Sequence, residues 1–115
     1  MGYDTLLYLD NVKIKNEFVS LVTQALKTGK GRGLSKIRYF FKYIILDSEG
    51  FLHIEDHFGG WNGSENLASW LKQYCEKDGR IVEHSLESDG VAWGWEFDGK
   101  GRMKYFQLDH VGKWR

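Results

Sequence analysis

Residues 81–108 read IVEHSLE-SDG-VAWGWEF-DGKG-RMKYFQL, and this stretch decides the fold class. Three runs rich in β-branched and aromatic residues, 81–87, 91–97 and 102–108, are separated by two short segments of Ser, Asp, Gly and Lys. Asp and Gly favour tight turns, so runs spaced in this way predict antiparallel strands joined by hairpins. The sequence therefore predicts an antiparallel meander in the last third of the chain.

Upstream of the meander, two segments carry apolar residues at helical spacing. The first stripe follows Asn16, which we expect to cap a helix. Its members are Phe18, Leu21, Val22, Ala25 and Leu26. The second stripe follows Ser64, a predicted N-cap, and is expected to run to about Lys77, where Asp78 and Gly79 end the helix. Its members are Leu67, Trp70, Leu71, Tyr74 and Cys75.

Three further strands are predicted before the second helix. Residues 3–9 form the first, because they are rich in Tyr, Thr and Leu. Residues 37–47 are the most continuous apolar run and predict a central strand, although periodicity alone does not distinguish such a run from a buried helix. Residues 48–50 turn the chain, and residues 51–58 are expected to return as its hairpin partner.

The predicted order is therefore β-α-β-β-α-β-β-β over a single domain, residues 1–115. This order predicts an α+β fold with two helices packed on one face of an antiparallel sheet. Its first six elements match the ferredoxin-like, split βαβ order, with extra C-terminal strands. Two α-β-β units sharing a sheet are an alternative arrangement of the same elements.

Composition excludes several classes of protein. The 115 residues contain 16 basic and 16 acidic side chains, so a uniformly basic protein is excluded. With one cysteine, the chain cannot hold an internal disulfide framework. No apolar run has the length of a membrane span, and no secretory leader is visible, so we expect a soluble, cytoplasmic protein without membrane contact.

Charge is balanced overall but segregated along the chain. Residues 27–42 carry six basic and no acidic side chains, and residues 43–71 carry five acidic and no basic ones. Residues 99–115 carry five basic side chains and one acidic one. Such blocks bear on partners and orientation rather than on the fold. Opposite charges on neighbouring strands could equally pair with each other across the sheet.

The most enzyme-like cluster is His53, Glu55 and His57. Side chains alternate along a strand, so these three would share one face and could bind a zinc-like ion or transfer protons. Residues two apart on a strand are nearly 7 Å apart, however, so a polar outer face explains the same pattern. Because Cys75 lies on the apolar stripe, we expect it to be a buried hydrophobe. No known catalytic motif is present, which favours a non-enzymatic protein without a cofactor.

The residues Gly-Lys-Gly-Arg occur twice, at 29–32 and 99–102. If the fold brought the two loops together, their charges would form a basic surface next to aromatic residues, as in proteins that bind single-stranded nucleic acid. The candidate residues for this alternative are Lys30, Arg32, Lys36, Arg38, Lys100, Arg102 and Lys104.

Five tryptophans are the most unusual feature that remains. Trp93 and Trp95 are two apart and would share one strand face, and Gly94 between them would leave the other face bare for close approach. Trp61 lies in a Gly-rich segment and Trp114 near the C-terminus. If these four face outward, they form an aromatic anchor of the kind that dominates protein interfaces; alternatively, Trp93 and Trp95 cover the domain's own core.

The sequence thus favours a small interaction domain of the inhibitor or immunity type. It would bind another protein through Trp61, Trp93, Trp95 and Trp114, and its charge segments would set orientation. A nucleic-acid-binding module and a metal-assisted or acid–base enzyme are the alternatives, and a homodimer is a further possible state.

Overall fold

The chain adopts an α+β fold in which two helices pack against an antiparallel sheet. A computed structural model describes residues 5–31, 34, 37–54, 64–85, 92–107, 110–111 and 113–115. The strands are β1 (Thr5–Asp10), β2 (Ile44–Leu46), β3 (Leu52–Ile54), β4 (Arg80–Ser85), β5 (Ala92–Phe97), β6 (Met103–Gln107) and β7 (His110–Val111). The helices are α1 (Val19–Thr28) and α2 (Ser64–Leu71), with 3-10 segments at Asn16–Phe18 and Arg38–Tyr43.

Five strands form one sheet in the order β1-β4-β5-β6-β7, and every neighbouring pair is antiparallel. The predicted meander is confirmed as β4, β5 and β6. The predicted hairpin is confirmed as a separate two-stranded ladder of β2 and β3, in which Ile44 pairs with Ile54; residues 55–58 of its predicted second strand lie outside the described residues. The ferredoxin-like core stays a prediction: β2 and β3 form a sheet of their own, and an isolated bridge pairs Lys13, in the segment after β1, with Phe51 next to β3.

The core lies between the helices and one side of the five-stranded sheet. Ile81 pairs with Trp95 across β4 and β5, and both side chains are buried on this side. Helix α2 contacts the same two strands. The buried cluster includes Val22 and Ala25 of α1 and Leu67 and Leu71 of α2. Both apolar stripes predicted from the sequence therefore contribute to one core, but Leu21 of the first stripe does not, since it is 47% exposed.

The prediction of a strand over residues 37–47 is wrong for most of its length. Residues Arg38–Tyr43 form a 3-10 helix, and extended backbone begins only at Ile44. Ile37, Phe41 and Ile44 are buried, and they recur every three to four residues, which is helical spacing. The neighbouring aromatic residues hide this spacing in the sequence, because the whole run is apolar.

The ends of both helices differ from the predictions. Asn16 does not cap α1: a 3-10 turn precedes the helix, and no side-chain cap is present there. Helix α2 ends at Leu71 rather than near Lys77. The reason is a contact distant in sequence, because the amide of Lys15 donates to the carbonyl of Tyr74 and Ile14 bridges Cys75. Residues 72–74 still form a turn, in which the amides of Tyr74 and Cys75 donate to the carbonyl of Leu71, and the pairing with Lys15 and Ile14 begins at Tyr74 and Cys75.

Aspartates organise two hairpin turns in the same way. Asp47 Oδ1 accepts hydrogen bonds from the amides of Glu49 and Phe51, each at 2.9 Å. Asp98 Oδ1 accepts from the amides of Lys100 and Arg102, at 2.7 and 3.0 Å. Three residues after each aspartate stands a glycine with positive φ, as such turns require.

None of the helices in the described part of the chain is long and apolar enough to cross a membrane.

Candidate functional site

The side of the sheet turned away from the core carries a strip of aromatic and basic side chains. Side chains alternate between the two faces of a strand, so in β1, β4, β5 and β6 the neighbours of each core residue lie on this outer side. We call this surface the outer face and define it by Tyr8, Arg80, His84, Glu96, Arg102, Lys104, Phe106 and Trp114. In the described part of the chain, the buried hydrophobic residues of α1 and α2 all belong to the core on the opposite side.

Gly94 makes the middle of the outer face possible. A β-carbon at this position would overlap the carbonyl oxygen of Ile81, so the strands approach closely only because the side chain is absent. The guanidinium carbon of Arg80 lies 5.0 Å from the centroid of the Phe106 ring, on the far side of β5. Val82 is buried next to Gly94, yet it lies outside the core cluster. The outer face therefore has its own small apolar centre.

Glu96 holds the two basic neighbours of this centre. Arg80 approaches Glu96 Oε1 at 2.9 Å through Nη2 and at 3.0 Å through Nε, and Lys104 Nζ lies 3.4 Å from Oε2. The three residues occupy one row across β4, β5 and β6. The Glu96 side chain is only 16% exposed. Salt therefore screens its ion pairs with the two cations less than it screens a pair between fully exposed side chains.

Trp114 extends the outer face beyond the strands. Met103 and Arg115 exchange two backbone hydrogen bonds, which attach the end of the chain to β6. This pairing places Trp114 beside Lys104 and Arg102, whose Nζ and Cζ atoms lie 4.5 and 6.0 Å from its ring. A cation near an aromatic face is attracted by the ring's quadrupole. Arg115 points the other way, with Cζ 5.1 Å from the Trp95 ring.

Tyr8 and His84 form the opposite end of the outer face. Their rings stack with centroids 5.5 Å apart, and a 3.2 Å hydrogen bond joins the Tyr8 hydroxyl to His84 Nε2. Tyr8 is 37% exposed, which is high for a tyrosine in a strand paired on the sheet. The strip therefore runs from β1 to the chain's end.

The structure does not bring the predicted tryptophan anchor onto one face. Trp95 is 6% exposed and belongs to the core, so it is not available to a partner. Trp93 is half-buried on the same helix-facing side, opposite Glu83 and Gln107. Trp114 lies on the other side of the sheet, and Trp61 lies outside the described residues.

The two Gly-Lys-Gly-Arg copies lie in different local structures. Gly29 ends α1 in the left-handed conformation, and the following residues border Trp70 and Tyr74. The second copy is the turn organised by Asp98, and its Gly99 packs on Lys77. Lys30, Lys100 and Arg102 are exposed, Lys104 is half-buried, and Arg38 opens the 3-10 segment. Arg32 and Lys36 lie outside the described residues, so the pooling of the two loops stays a prediction.

Of the predicted metal cluster, only His53 is within the described residues; Glu55 and His57 are not. His53 Nε2 lies 2.8 Å from Asp47 Oδ2 at the hairpin turn. This hydrogen bond, together with the amide of Phe51, holds the pKa of Asp47 below its usual value. Among the described residues, no group of three His, Cys, Asp or Glu side chains could hold a metal ion.

Sequence reasoning missed a buried carboxyl group at Glu83. The residue is 3% exposed and lies opposite Trp93 on the core side of β4. Burial raises the pKa of Glu83, and a hydrogen bond with Ser64 at the start of α2 partly offsets this effect. Burial and the charge of Glu83 also raise the pKa of Tyr105, whose hydroxyl donates to Gln107 Oε1 at 2.8 Å. The sequence did carry a signal for this burial: Glu83 lies two residues after Ile81 on the same strand, so the two side chains share the core side.

These geometries support recognition more directly than catalysis. Glu83 could exchange a proton, but it is enclosed by the core, and the hydroxyl of its hydrogen-bond partner Ser64 is buried as well. Cys75 is fully buried, and burial raises the pKa of its thiol, which removes it as a nucleophile. The outer face, in contrast, presents ordered aromatic and basic groups. Comparison of the chain with protein-family models, with curated proteins and with solved structures found no match.

Proposed function

We propose that this chain is a protein-binding domain and that the outer face is its contact surface. The observation that carries the proposal is the strip of cation–aromatic pairs, Arg80 with Phe106 and Lys104 with Trp114, on the side of the sheet away from the core. Arginine, tyrosine and tryptophan supply most of the binding energy in protein interfaces. All three residue types are present on this one surface.

Pre-organisation adds to this argument. Binding normally costs the freedom of long side chains, about 0.5–1.5 kcal/mol for each one immobilised. Arg80 and Lys104 are already held by Glu96 and by the aromatic rings, so much of this cost is met in the free protein. A partner would therefore meet a surface that is largely in its bound arrangement.

The charge pattern favours a protein over a nucleic acid. Arg80 and Lys104 both pair with Glu96, and Arg102 Nε donates to Asp98 Oδ2 at 2.8 Å. Phosphate groups would have to compete with these carboxylates for the same cations. A protein surface with alternating charges could pair with them without displacement.

The orientation of the partner, the type of role and the cellular location are further parts of the same proposal. The segregated charge blocks would orient the partner, and an inhibitor or immunity-type role fits a small domain with one preformed surface. A cytoplasmic location is part of the same proposal.

A pull-down with matched variants tests the proposal. Immobilised wild type is exposed to lysate of the cells that naturally contain the chain, with and without nuclease treatment, beside Trp114→Ala, Arg80→Ala and the control Ile45→Ala. Ile45 is 42% exposed on β2, outside the five-stranded sheet. We expect wild type and Ile45→Ala to retain the same protein, and the two outer-face variants to retain at least tenfold less.

Three results would contradict the proposal. Wild type could retain no protein, the outer-face variants could retain it as wild type does, or retention could vanish with nuclease treatment alone. The last result would transfer the function to nucleic acid. Sedimentation of the purified protein tests for self-association. If wild type is a dimer and Trp114→Ala is a monomer, the partner is a second copy of the chain.

A further inference from the structure

On the helix side of the molecule, α1 and the residues that follow it face Trp70 of α2 and Tyr74 across an open depression. It is a groove of about 370 Å³. We call it the α1–α2 groove and define it by Leu21, Ala25, Lys30, Leu34, Trp70 and Tyr74. We propose that the α1–α2 groove binds a small monocarboxylic acid with an apolar body, its carboxylate meeting Lys30.

The floor of the groove is apolar and firmly packed. Ala25, Leu34 and Trp70 are each no more than 7% exposed. The Trp70 ring is held between Phe41 and Tyr74, at centroid distances of 5.2 and 5.9 Å. Such a floor does not need to rearrange before an apolar group is placed on it.

One wall exposes an apolar side chain where a helix surface is normally polar. Leu21 lies on α1 beside the floor and is 47% exposed. A ligand that covered this side chain would remove apolar surface from water, which is favourable by about 25 cal/mol per Å². Single exposed leucines are common, so the argument depends on the position of Leu21 over an aromatic floor.

Lys30 determines which polar group a ligand of the groove should carry. It lines the groove just after the end of α1, and none of the described carboxylates forms an ion pair with it. In contrast, the cations of the outer face are all held by acids. One cation at the rim of an apolar groove is complementary to a ligand with one anionic group and an apolar body.

The volume limits the size of the ligand. Ligand pockets commonly measure about 300–1,000 Å³, and this groove lies near the lower limit. It therefore suits a ligand of about ten non-hydrogen atoms. Octanoate has this size, and octan-1-ol has the same number of carbons without the charge.

Amide chemical shifts of the purified protein, titrated with each compound, test the proposal. We expect octanoate to bind with a Kd of about 1 mM, which is typical of ligands of this size, and to shift the amides of Lys30 and Tyr74 most. Lys30→Ala should weaken octanoate binding about twofold to fivefold, the range of an exposed ion pair. Octan-1-ol should bind wild type and Lys30→Ala equally, and more weakly than octanoate binds wild type.

Two further variants complete the design. Leu21→Asp places a like charge at the groove and should weaken octanoate at least tenfold without unfolding the protein, because Leu21 is half exposed. Lys27→Ala removes a cation that lines a different groove on α1 and should leave octanoate binding unchanged. The Arg80→Ala and Trp114→Ala variants should also bind octanoate normally, since the outer face is separate.

The proposal is overturned if octanoate shifts no amide at concentrations up to tenfold above the expected Kd. It is also overturned if octan-1-ol binds as tightly as octanoate, or if Lys30→Ala and Lys27→Ala behave alike. These outcomes leave the protein-binding proposal untouched, since that proposal uses none of the groove residues.

Discussion

Arg80 on β4 and Phe106 on β6 are in contact across the strand that separates them: the guanidinium carbon lies 5.0 Å from the ring centroid. Gly94 on the intervening strand carries no side chain, and Glu96 on that strand fixes the guanidinium from the other side. The outer face is therefore an ordered surface that depends on one glycine. Strand register sets which side chains meet on this face, and Gly94 leaves the space between them free of a side chain.

Gly94→Ala should destabilise the protein by about 2–4 kcal/mol, because the new methyl group overlaps the backbone of Ile81 and the strands must separate. Urea denaturation measures the change. Gly101→Ala is the control: a β-carbon there meets no atom within 4 Å, but φ is +87°. It should cost only the strain of the left-handed conformation, about 1–2 kcal/mol. Equal losses for the two variants would contradict close strand approach at Gly94.

Glu83→Gln should become more stable relative to wild type as the pH rises. Burial raises the folded-state pKa of Glu83 above its ordinary value of 4.5. The native state therefore binds the proton more tightly than the unfolded chain. The contribution of Glu83 to the free energy of unfolding is complete at low pH and is lost as the pH rises from 4.5 through the raised pKa of the folded state. Gln keeps the hydrogen bond with Ser64 but does not titrate.

Denaturation at pH 4 and pH 7 measures this difference. A difference in unfolding free energy between Glu83→Gln and wild type that is the same at both pH values would show that Glu83 titrates normally in the folded protein.

Asp98→Ala should lower the unfolding free energy by about 1–2 kcal/mol at neutral pH, since the turn loses three hydrogen bonds to a charged acceptor. Burial opposes ionisation of Asp98, but the donors from Lys100 and Arg102 outweigh it and lower its pKa below 3.8. The stabilisation is therefore present above pH 3.8 and is lost as the pH falls through the lowered pKa.

Lys100→Ala is the matched control for Asp98→Ala. It keeps the backbone amide that Asp98 accepts from, so its stability should equal that of wild type within about 0.5 kcal/mol. If both variants lose the same stability, the hydrogen bonds of Asp98 are not what holds the turn.

Cys75 should resist thiol reagents while the protein is folded. The residue is fully buried, and burial raises the pKa of its thiol, so the reactive thiolate is scarce and inaccessible. We expect labelling by a disulfide reagent to be at least about a hundredfold slower in buffer than in denaturant, because it requires opening of the fold. Rapid stoichiometric labelling of the native protein would contradict the placement of Cys75 in the core.

Local patterns predict the helices and the meander well because both depend on short-range chemistry. Asp and Gly mark the turns around 98–101, and Gly29 ends α1 as a left-handed residue. The end of α2 was not predictable in this way. It depends on pairing between Tyr74 and Lys15, which are far apart in the chain, and no local signal reports that contact.

The outer face was only partly predictable for the same reason. The absence of a side chain at Gly94 is visible in the sequence, and Trp114 was a candidate from its position. The contacts of Arg80 with Phe106 and of Lys104 with Trp114 depend on the register of three strands and on the pairing of Arg115 with Met103. Register is set by the packed fold, so composition could indicate an aromatic surface but not where it lies.

The affinity of the captured partner for the Arg80→Ala/Trp114→Ala double variant, measured by calorimetry beside Ile45→Ala, tests the central claim most directly. If the outer face is the contact surface, the double variant should bind at least about thirtyfold more weakly than wild type, the effect of losing a 2 kcal/mol anchor. Ile45→Ala should bind as wild type does. A double variant that keeps the wild-type affinity while remaining folded would contradict the account.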